Sequence, residues 1–210
     1  MKFNKYILTI FILFFPSKVF NQVPCDSSSF KQLIKFHDSV VITDNDLKKC
    51  CHIVDSLLKN NCTYFILKRE YHNYFTLTSI FGDICVKANS TNSVKAYIDY
   101  YLKNPNSPEE QLEYSLEDIF FKRPKDVLNE IVKRNSSERG QLLFGLAFGF
   151  GETYNSITPL DTINYQKKFF SQNADIITIY PTFKKEIDSI LIQIKNMLIF
   201  SIKMDNESNK

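Results

Sequence analysis

The sequence predicts an all-α protein of antiparallel helical hairpins, for which a short α-α superhelical stack is one arrangement. Apolar residues recur with the 3.6-residue period of amphipathic helices, and strict alternation of apolar and polar residues is rare. Glycine (5 of 210 residues) and proline (7) are scarce, so few positions interrupt helices. We expect one helical domain over residues 23–203, after a signal peptide at 1–22 and before a disordered polar tail at 204–210.

The leader has the order of a secretory signal peptide. Lys2 and Lys5 precede an apolar run from Tyr6 to Phe15, Pro16 ends it, and a polar stretch follows. The run is shorter than the ~20 apolar residues that a spanning helix needs. We therefore expect a secreted or periplasmic protein with no stable membrane insertion after cleavage. Retention of the leader as an anchor and a lipid on Cys25 are alternatives, although the proline before Cys25 fits a lipidation site poorly.

The charge balance argues against nucleic acid as a partner. Three of the 26 basic residues lie in the leader, which leaves 23 basic against 23 acidic residues in the mature chain. A nucleic-acid-binding protein is expected to keep a basic excess after processing.

Helices in the first half are predicted from start signals and apolar stripes. The first runs from Asp44, its predicted N-cap, to Lys59. A long helix is expected over residues 63–88, followed by a helix over 94–102. The sequence Ser107-Pro108-Glu109-Glu110 combines an N-cap, a proline at N1 and first-turn acids, and so opens the next helix.

Helices in the second half are also predicted from start signals and apolar stripes. Pro124 restarts the chain, Ser136 opens another helix, and an apolar stripe over residues 183–202 predicts a C-terminal helix. Residues 173–182 are rich in β-branched and aromatic types, so we expect them to be extended or the tail of a helix. A weak repeat appears when the chain is shifted by 30 residues, which is the basis for the superhelical stack.

The five cysteines predict disulfides rather than a metal site. Export permits disulfides, and the spacing matches no zinc motif. The preferred pairing joins Cys50 or Cys51 to Cys62, and Cys85 is the next candidate partner. The candidates are Cys50, Cys51, Cys62 and Cys85.

Signatures of catalysis are missing. Neither a Gly-x-Ser-x-Gly nor a His-Glu-x-x-His sequence occurs, and nothing selects a Cys-His dyad. The pair Glu117-Asp118 is a weak candidate for acid/base work, because adjacent helix positions do not face one another. Gly145 and Gly149 are four residues apart, a spacing that favours close approach of a neighbouring helix. We expect no catalytic residue, metal or cofactor.

Clustered tyrosines predict a binding surface, since tyrosine is enriched in protein interfaces. The alternative is core packing with hydroxyls that reach water. The binding-surface candidates are Tyr71, Tyr74, Tyr97, Tyr100, Tyr101 and Glu152.

The sequence as a whole favours a non-catalytic, exported helical module that binds or inhibits another protein. An immunity-type protein is one member of this functional class. The competing hypothesis is an exported helical hydrolase that acts on cell-wall or glycan substrates through paired carboxylates.

Overall fold

The computed structural model describes residues 27–60, 62, 64–65, 75–104, 111–152 and 161–208. The predicted all-α class is confirmed, since helices account for most of these residues and the strands are two residues each. The elements are α1 (Ser27–His37), α2 (Asp44–Lys59), β1 (Tyr64–Phe65), β2 (Phe75–Thr76), α3 (Leu77–Ala88), α4 (Thr91–Lys103), α5 (Gln111–Lys122), α6 (Pro124–Val132), α7 (Ser136–Glu152), α8 (Asp161–Ser171), α9 (Ala174–Ile179) and α10 (Lys184–Ser208).

Helix starts are fixed by hydroxyl and amide side chains. Helix α2 begins one residue later than its cap, which is Thr43 rather than the predicted Asp44. The Thr43 hydroxyl accepts from the amide of Asp46, and the Asp46 carboxylate accepts from the amide of Thr43, which forms a capping box. Ser90 opens α4 in the same way, and the Asn135 side chain accepts from the amide of Glu138 at the start of α7.

The prediction of one long helix over residues 63–88 is wrong. Helix α3 begins at Leu77, and β1 and β2 form an antiparallel pair with Tyr64 opposite Thr76 and Phe65 opposite Phe75. Thr76 has extended backbone angles and caps α3 with its hydroxyl, so the helix begins at a local signal. The predicted start of a helix at 107–110 lies outside the described residues.

Two C-terminal predictions also change. Residues predicted to be extended or the tail of a helix form the separate short helix α9, because Asn173 caps it and Ile176 is buried in the core. Helix α10 continues to Ser208, so it enters the segment predicted as a disordered tail. A helix already formed extends at low cost over residues that would not start one.

The core follows a succession of packed helices. Helix α3 packs against α1, α2, α4 and α5, α5 packs against α7, and α7 packs against α10. Large side chains fill these contacts, with Phe81, Phe120 and Phe150 almost completely buried. Helices α8 and α9 close one end, where the Phe169 ring lies 5.4 Å from that of Phe150. The superhelical stack stays a prediction.

Close approach of α5 to α7 depends on Gly149, as the spacing of the two glycines predicted. A Cβ atom there would lie 2.8 Å from the carbonyl oxygen of Glu113 and 3.1 Å from the Cβ of Glu117. A Cβ on Gly145 would lie 2.8 Å from Cζ of Tyr101 in α4. The glycines thus let two neighbours approach the backbone of α7.

Candidate functional sites

The predicted tyrosine surface is wrong for the three tyrosines on α4. Tyr97, Tyr100 and Tyr101 are all buried in the core. The Tyr97 hydroxyl donates to the carbonyl oxygen of Leu112 at 2.9 Å, and that of Tyr100 lies 2.9 Å from the hydroxyl of Thr78. Helix α4 contacts helices on several sides, so more than one of its faces is covered.

The sequence contained a signal for this burial. Tyr97 and Tyr101 continue the stripe of Val94 and Ile98 at helical spacing, which places them on the core face. The remaining candidates, Tyr71, Tyr74 and the side chain of Glu152, lie outside the described residues.

The predicted cysteine pairing is also wrong, because Cys50, Cys51 and Cys85 are free thiols. Helix α2 continues to Lys59, so nine residues of helix separate Cys50 from its end, a rise of about 14 Å at 1.5 Å per residue. A disulfide needs Cα atoms about 4.4–6.8 Å apart. Cys62 follows the end of α2 and is too far along the axis to reach either adjacent cysteine.

The free thiols are unsuited to nucleophilic chemistry. Burial, and next the charge of Cys51, raise the pKa of Cys50 to about 12. Burial also raises the pKa of Cys51, with Asp55 adding to the effect, and that of Cys85. The thiolate is the reactive form, so the raised pKa values make these thiols slow to react at neutral pH. His52 is exposed beside Cys51 in the chain, where helix geometry turns the two side chains about 100° apart.

A groove lies between α2 and α4, with a cavity of about 320 Å³. A recess of about 110 Å³ adjoins it and shares Cys51, Asp55, Ala96 and Asp99 with its lining. The recess reaches inward to the ring of Phe81. Cys51 is half-buried on the floor of the groove.

A larger cavity of about 460 Å³ lies between the start of α6 and α9. Its lining includes Arg123, whose guanidinium donates to the Asp126 carboxylate and the carbonyl oxygen of Asn89, each at 2.6 Å. Arg123 therefore ties the end of α3 to the start of α6, and the arrangement is structural.

Glu117 is the described carboxyl group with the largest upward change in pKa. It is 9% exposed, faces α7 at Gly149, and makes no hydrogen bond to a described residue. Burial, and next the neighbouring Asp118, raise its pKa to about 7, against a smaller opposing effect of Lys168. A carboxyl group in this state is protonated about half the time at neutral pH and can donate a proton.

A second carboxyl group lies one helical turn before Glu117. Glu113 belongs to the same face of α5, and its carboxylate lies 3.4 Å from the Tyr101 hydroxyl. The sequence paired Glu117 with Asp118, which is exposed on another face. None of the three cavities described above is lined by Glu117.

Helix α10 has apolar side chains on two opposite faces. Its inner face contributes Ile187, Ile190 and Ile194 to the core. On the outer face Ile192 is 60% exposed, Ile199 49% and Phe200 63%. Since these three lie at i, i+7 and i+8, they form one stripe along the helix. We call Ile192, Ile199 and Phe200 the outer stripe.

Among the described helices, none combines the length and the hydropathy that a transmembrane span requires. The same residues place no group of three His, Cys, Asp or Glu side chains where they could hold a metal ion.

Comparison with protein-family models finds no match, and neither do comparisons with curated proteins and with solved structures.

Proposed function

We propose that the chain is an exported, non-catalytic helical module that binds another protein through the outer stripe of α10. The observation that carries the proposal is the exposure of three large apolar side chains on one face of a helix whose other face is in the core. Solvated helix faces are normally polar, and exposed apolar patches mark interaction sites.

Charge on the same helix indicates the chemistry of the partner. Exposed Lys185 and Lys195 lie on the outward side of α10. Asp188 on the same helix accepts hydrogen bonds from Tyr180 and Lys184. The partner is therefore a folded protein with an apolar strip bordered by carboxylates, because complementary charge sets the orientation of such contacts.

The proposal has two further parts, which are export directed by the leader and a disulfide between Cys25 and Cys62. Three of the five cysteines are free thiols and Cys62 is not among them. Cys25 lies outside the described residues and is the remaining partner in the chain. Mass spectrometry of the mature protein tests both parts. We expect an N-terminus near residue 22 and a mass gain of about 2 Da on reduction, as for one disulfide. An intact leader or a lipid on Cys25 would overturn this part.

Photo-crosslinking tests the binding surface. A photoreactive phenylalanine analogue replaces Phe200 in one variant and Val40 in the control, where Val40 is 93% exposed and lies outside α10. In extracts of the source organism we expect one protein to be crosslinked from position 200 and not from position 40. A crosslink to a second copy of the chain or to lipid contradicts the proposal, as does equal labelling from both positions.

A catalytic alternative is favoured by the raised pKa of Glu117. In that case Glu117 is the general acid of a glycan hydrolase, and Glu113 replaces Asp118 as the second carboxyl group. Turnover of peptidoglycan by the purified chain, abolished in Glu117→Gln and retained in Asp118→Asn, would support this function. Absence of turnover in the wild-type protein excludes it for that substrate.

A further inference from the structure

The outer stripe of α10 has the spacing of a seam between two packed helices. Ser189, Ile192, Asn196 and Ile199 follow one another at intervals of three, four and three residues. Side chains at these intervals keep one face of a helix turned towards a second helix, as positions a and d do in a coiled coil. Ile192 and Ile199 are therefore one heptad apart, and Phe200 borders the seam beside Ile199.

A helix is the element that can cover this seam most simply. The two isoleucines are both exposed, and they are separated by about 10.5 Å along the axis of α10 at 1.5 Å per residue. A second helix satisfies its own backbone hydrogen bonds, so it can bury one apolar face against both side chains. A lone strand or a loop would leave backbone N–H and C=O groups unpaired against α10.

Helix α10 also continues beyond the core that supports it. Leu198 is the last of its described side chains that is fully buried, whereas Ser201 and Ile202 are half-buried. The helix nevertheless runs to Ser208, ten residues after Leu198. A helical end of this length has little stability of its own in water. Contact with a second helix would stabilise it.

Asn196 is the polar residue between the two isoleucines of the seam. It is exposed, and its side chain makes no hydrogen bond with a described residue. A single asparagine at such a position sets the register of two helices, because its amide needs a hydrogen-bonding partner when the seam is buried. Asn196 therefore contributes specificity, and the isoleucines contribute affinity.

Lysines flank the seam. Lys195 precedes Asn196, and Lys185 lies one heptad before Ile192. Both are exposed, and neither makes an ion pair with a described residue. Charged side chains beside a seam pair with opposite charges on the facing helix, which selects the partner and its orientation. Acidic residues on the flank of the partner helix would complement both lysines.

We propose that the partner contributes an amphipathic helix that packs along α10 over residues 189–200. Its apolar stripe lies against Ile192 and Ile199, a hydrogen-bonding side chain lies opposite Asn196, and acidic residues border the stripe. This inference depends on the proposed binding through the outer stripe, and it adds the kind of surface that the partner presents.

Photo-crosslinking from two positions measures the spacing of the contacts on the partner. The photoreactive phenylalanine analogue replaces Ile192 in one variant and Ile199 in another, and peptide mass spectrometry identifies the partner residue crosslinked from each. On a helix the two crosslinked residues should be about seven apart in the partner sequence, for either direction of packing. On a strand they would be about three apart.

The role of Asn196 is tested by Asn196→Leu, with Asn164→Leu as the matched control at an exposed asparagine on α8. Each substitution is combined with the analogue at position 199, and circular dichroism confirms that each variant is folded. In Asn196→Leu we expect crosslinks to a second partner residue about one heptad from the first, because the register is no longer fixed. In Asn164→Leu we expect the single original crosslink.

A separation of about three residues, or crosslinks to unrelated segments of the partner, would overturn the helical partner. One unchanged crosslink in Asn196→Leu would overturn the role of that residue in register. Absence of any crosslink from positions 192, 199 and 200 has a different meaning, since it refutes binding through the outer stripe and with it this inference.

Discussion

Replacement of Glu117 by glutamine is expected to stabilise the protein at neutral pH and to leave its stability unchanged near pH 4. The Glu117 carboxyl group is buried at the contact between α5 and α7, and its pKa rises from an ordinary value of 4.5 to about 7. Glutamine has the shape of the protonated acid and carries no charge. The substitution therefore removes only the cost of ionising the buried group.

The sign and the magnitude follow from linkage. Between pH 4.5 and about 7 the folded state holds more protons at Glu117 than the unfolded state, so the free energy of unfolding falls as pH rises. At 1.36 kcal/mol for each pKa unit, the cost reaches at most about 3 kcal/mol above pH 7. Partial contact with solvent lowers this figure.

Urea unfolding of both proteins at several pH values between about 4 and 8 measures the effect. We expect the difference in unfolding free energy between Glu117→Gln and wild type to grow from near zero to between about 1 and 3 kcal/mol. A difference that does not depend on pH would refute the argument, because a packing effect alone is constant.

Substitution of Asp46 is a control for which the expected change in stability at neutral pH has the opposite sign. Hydrogen bonds from the Thr43 side chain, and next from its backbone, lower the pKa of Asp46. Its carboxylate therefore stabilises the folded state above its ordinary pKa, and this stabilisation is lost as pH falls through the folded value. Asp46→Asn should destabilise the protein at neutral pH and have little effect in acid.

Three further predictions concern packing and thiols. Gly149→Ala should be less stable than Gly140→Ala by about 1–3 kcal/mol in urea unfolding. Both substitutions gain helix propensity, but only position 149 lacks room for a Cβ atom, and equal stabilities would contradict this. Tyr97→Phe should cost about 1 kcal/mol, because it removes a buried hydrogen bond, and a neutral result would contradict it. In native protein near pH 8, half-buried Cys51 should be alkylated slowly and buried Cys50 more slowly still. Mass spectrometry measures both rates, and rapid labelling of both thiols would contradict their raised pKa values.

The sequence predicted the parts of the fold that depend on local periodicity. Helix α2 has the predicted span, because its apolar stripe and its end at Asn60 are both local signals. The stripe of Ile187, Ile190 and Ile194 likewise predicted the buried face of α10. The break between β2 and α3 was missed, since its signal is a cap at Thr76 inside a run of mixed residues.

The sites were harder to predict because they depend on contacts distant in the chain. The burial of Tyr97 requires the carbonyl of Leu112 on the next helix, and the state of Glu117 requires Gly149 on α7. The cysteine pairing was wrong because the turn after Lys59 does not bring Cys62 back along the length of α2 to Cys50 or Cys51. The outer stripe was missed, since the inner stripe already explained why α10 is a helix.

Binding through the outer stripe is tested by the affinity of the crosslinked partner for wild-type protein and for the double variant Ile199→Ser/Phe200→Ser. Each side chain is exposed and should contribute more than about 1 kcal/mol at an interface, so we predict a Kd at least about 30-fold weaker with the fold retained. Val40→Ser, also at an exposed apolar position, should leave the Kd unchanged. An unchanged Kd in the double variant, or equal weakening by Val40→Ser, would contradict binding through the outer stripe.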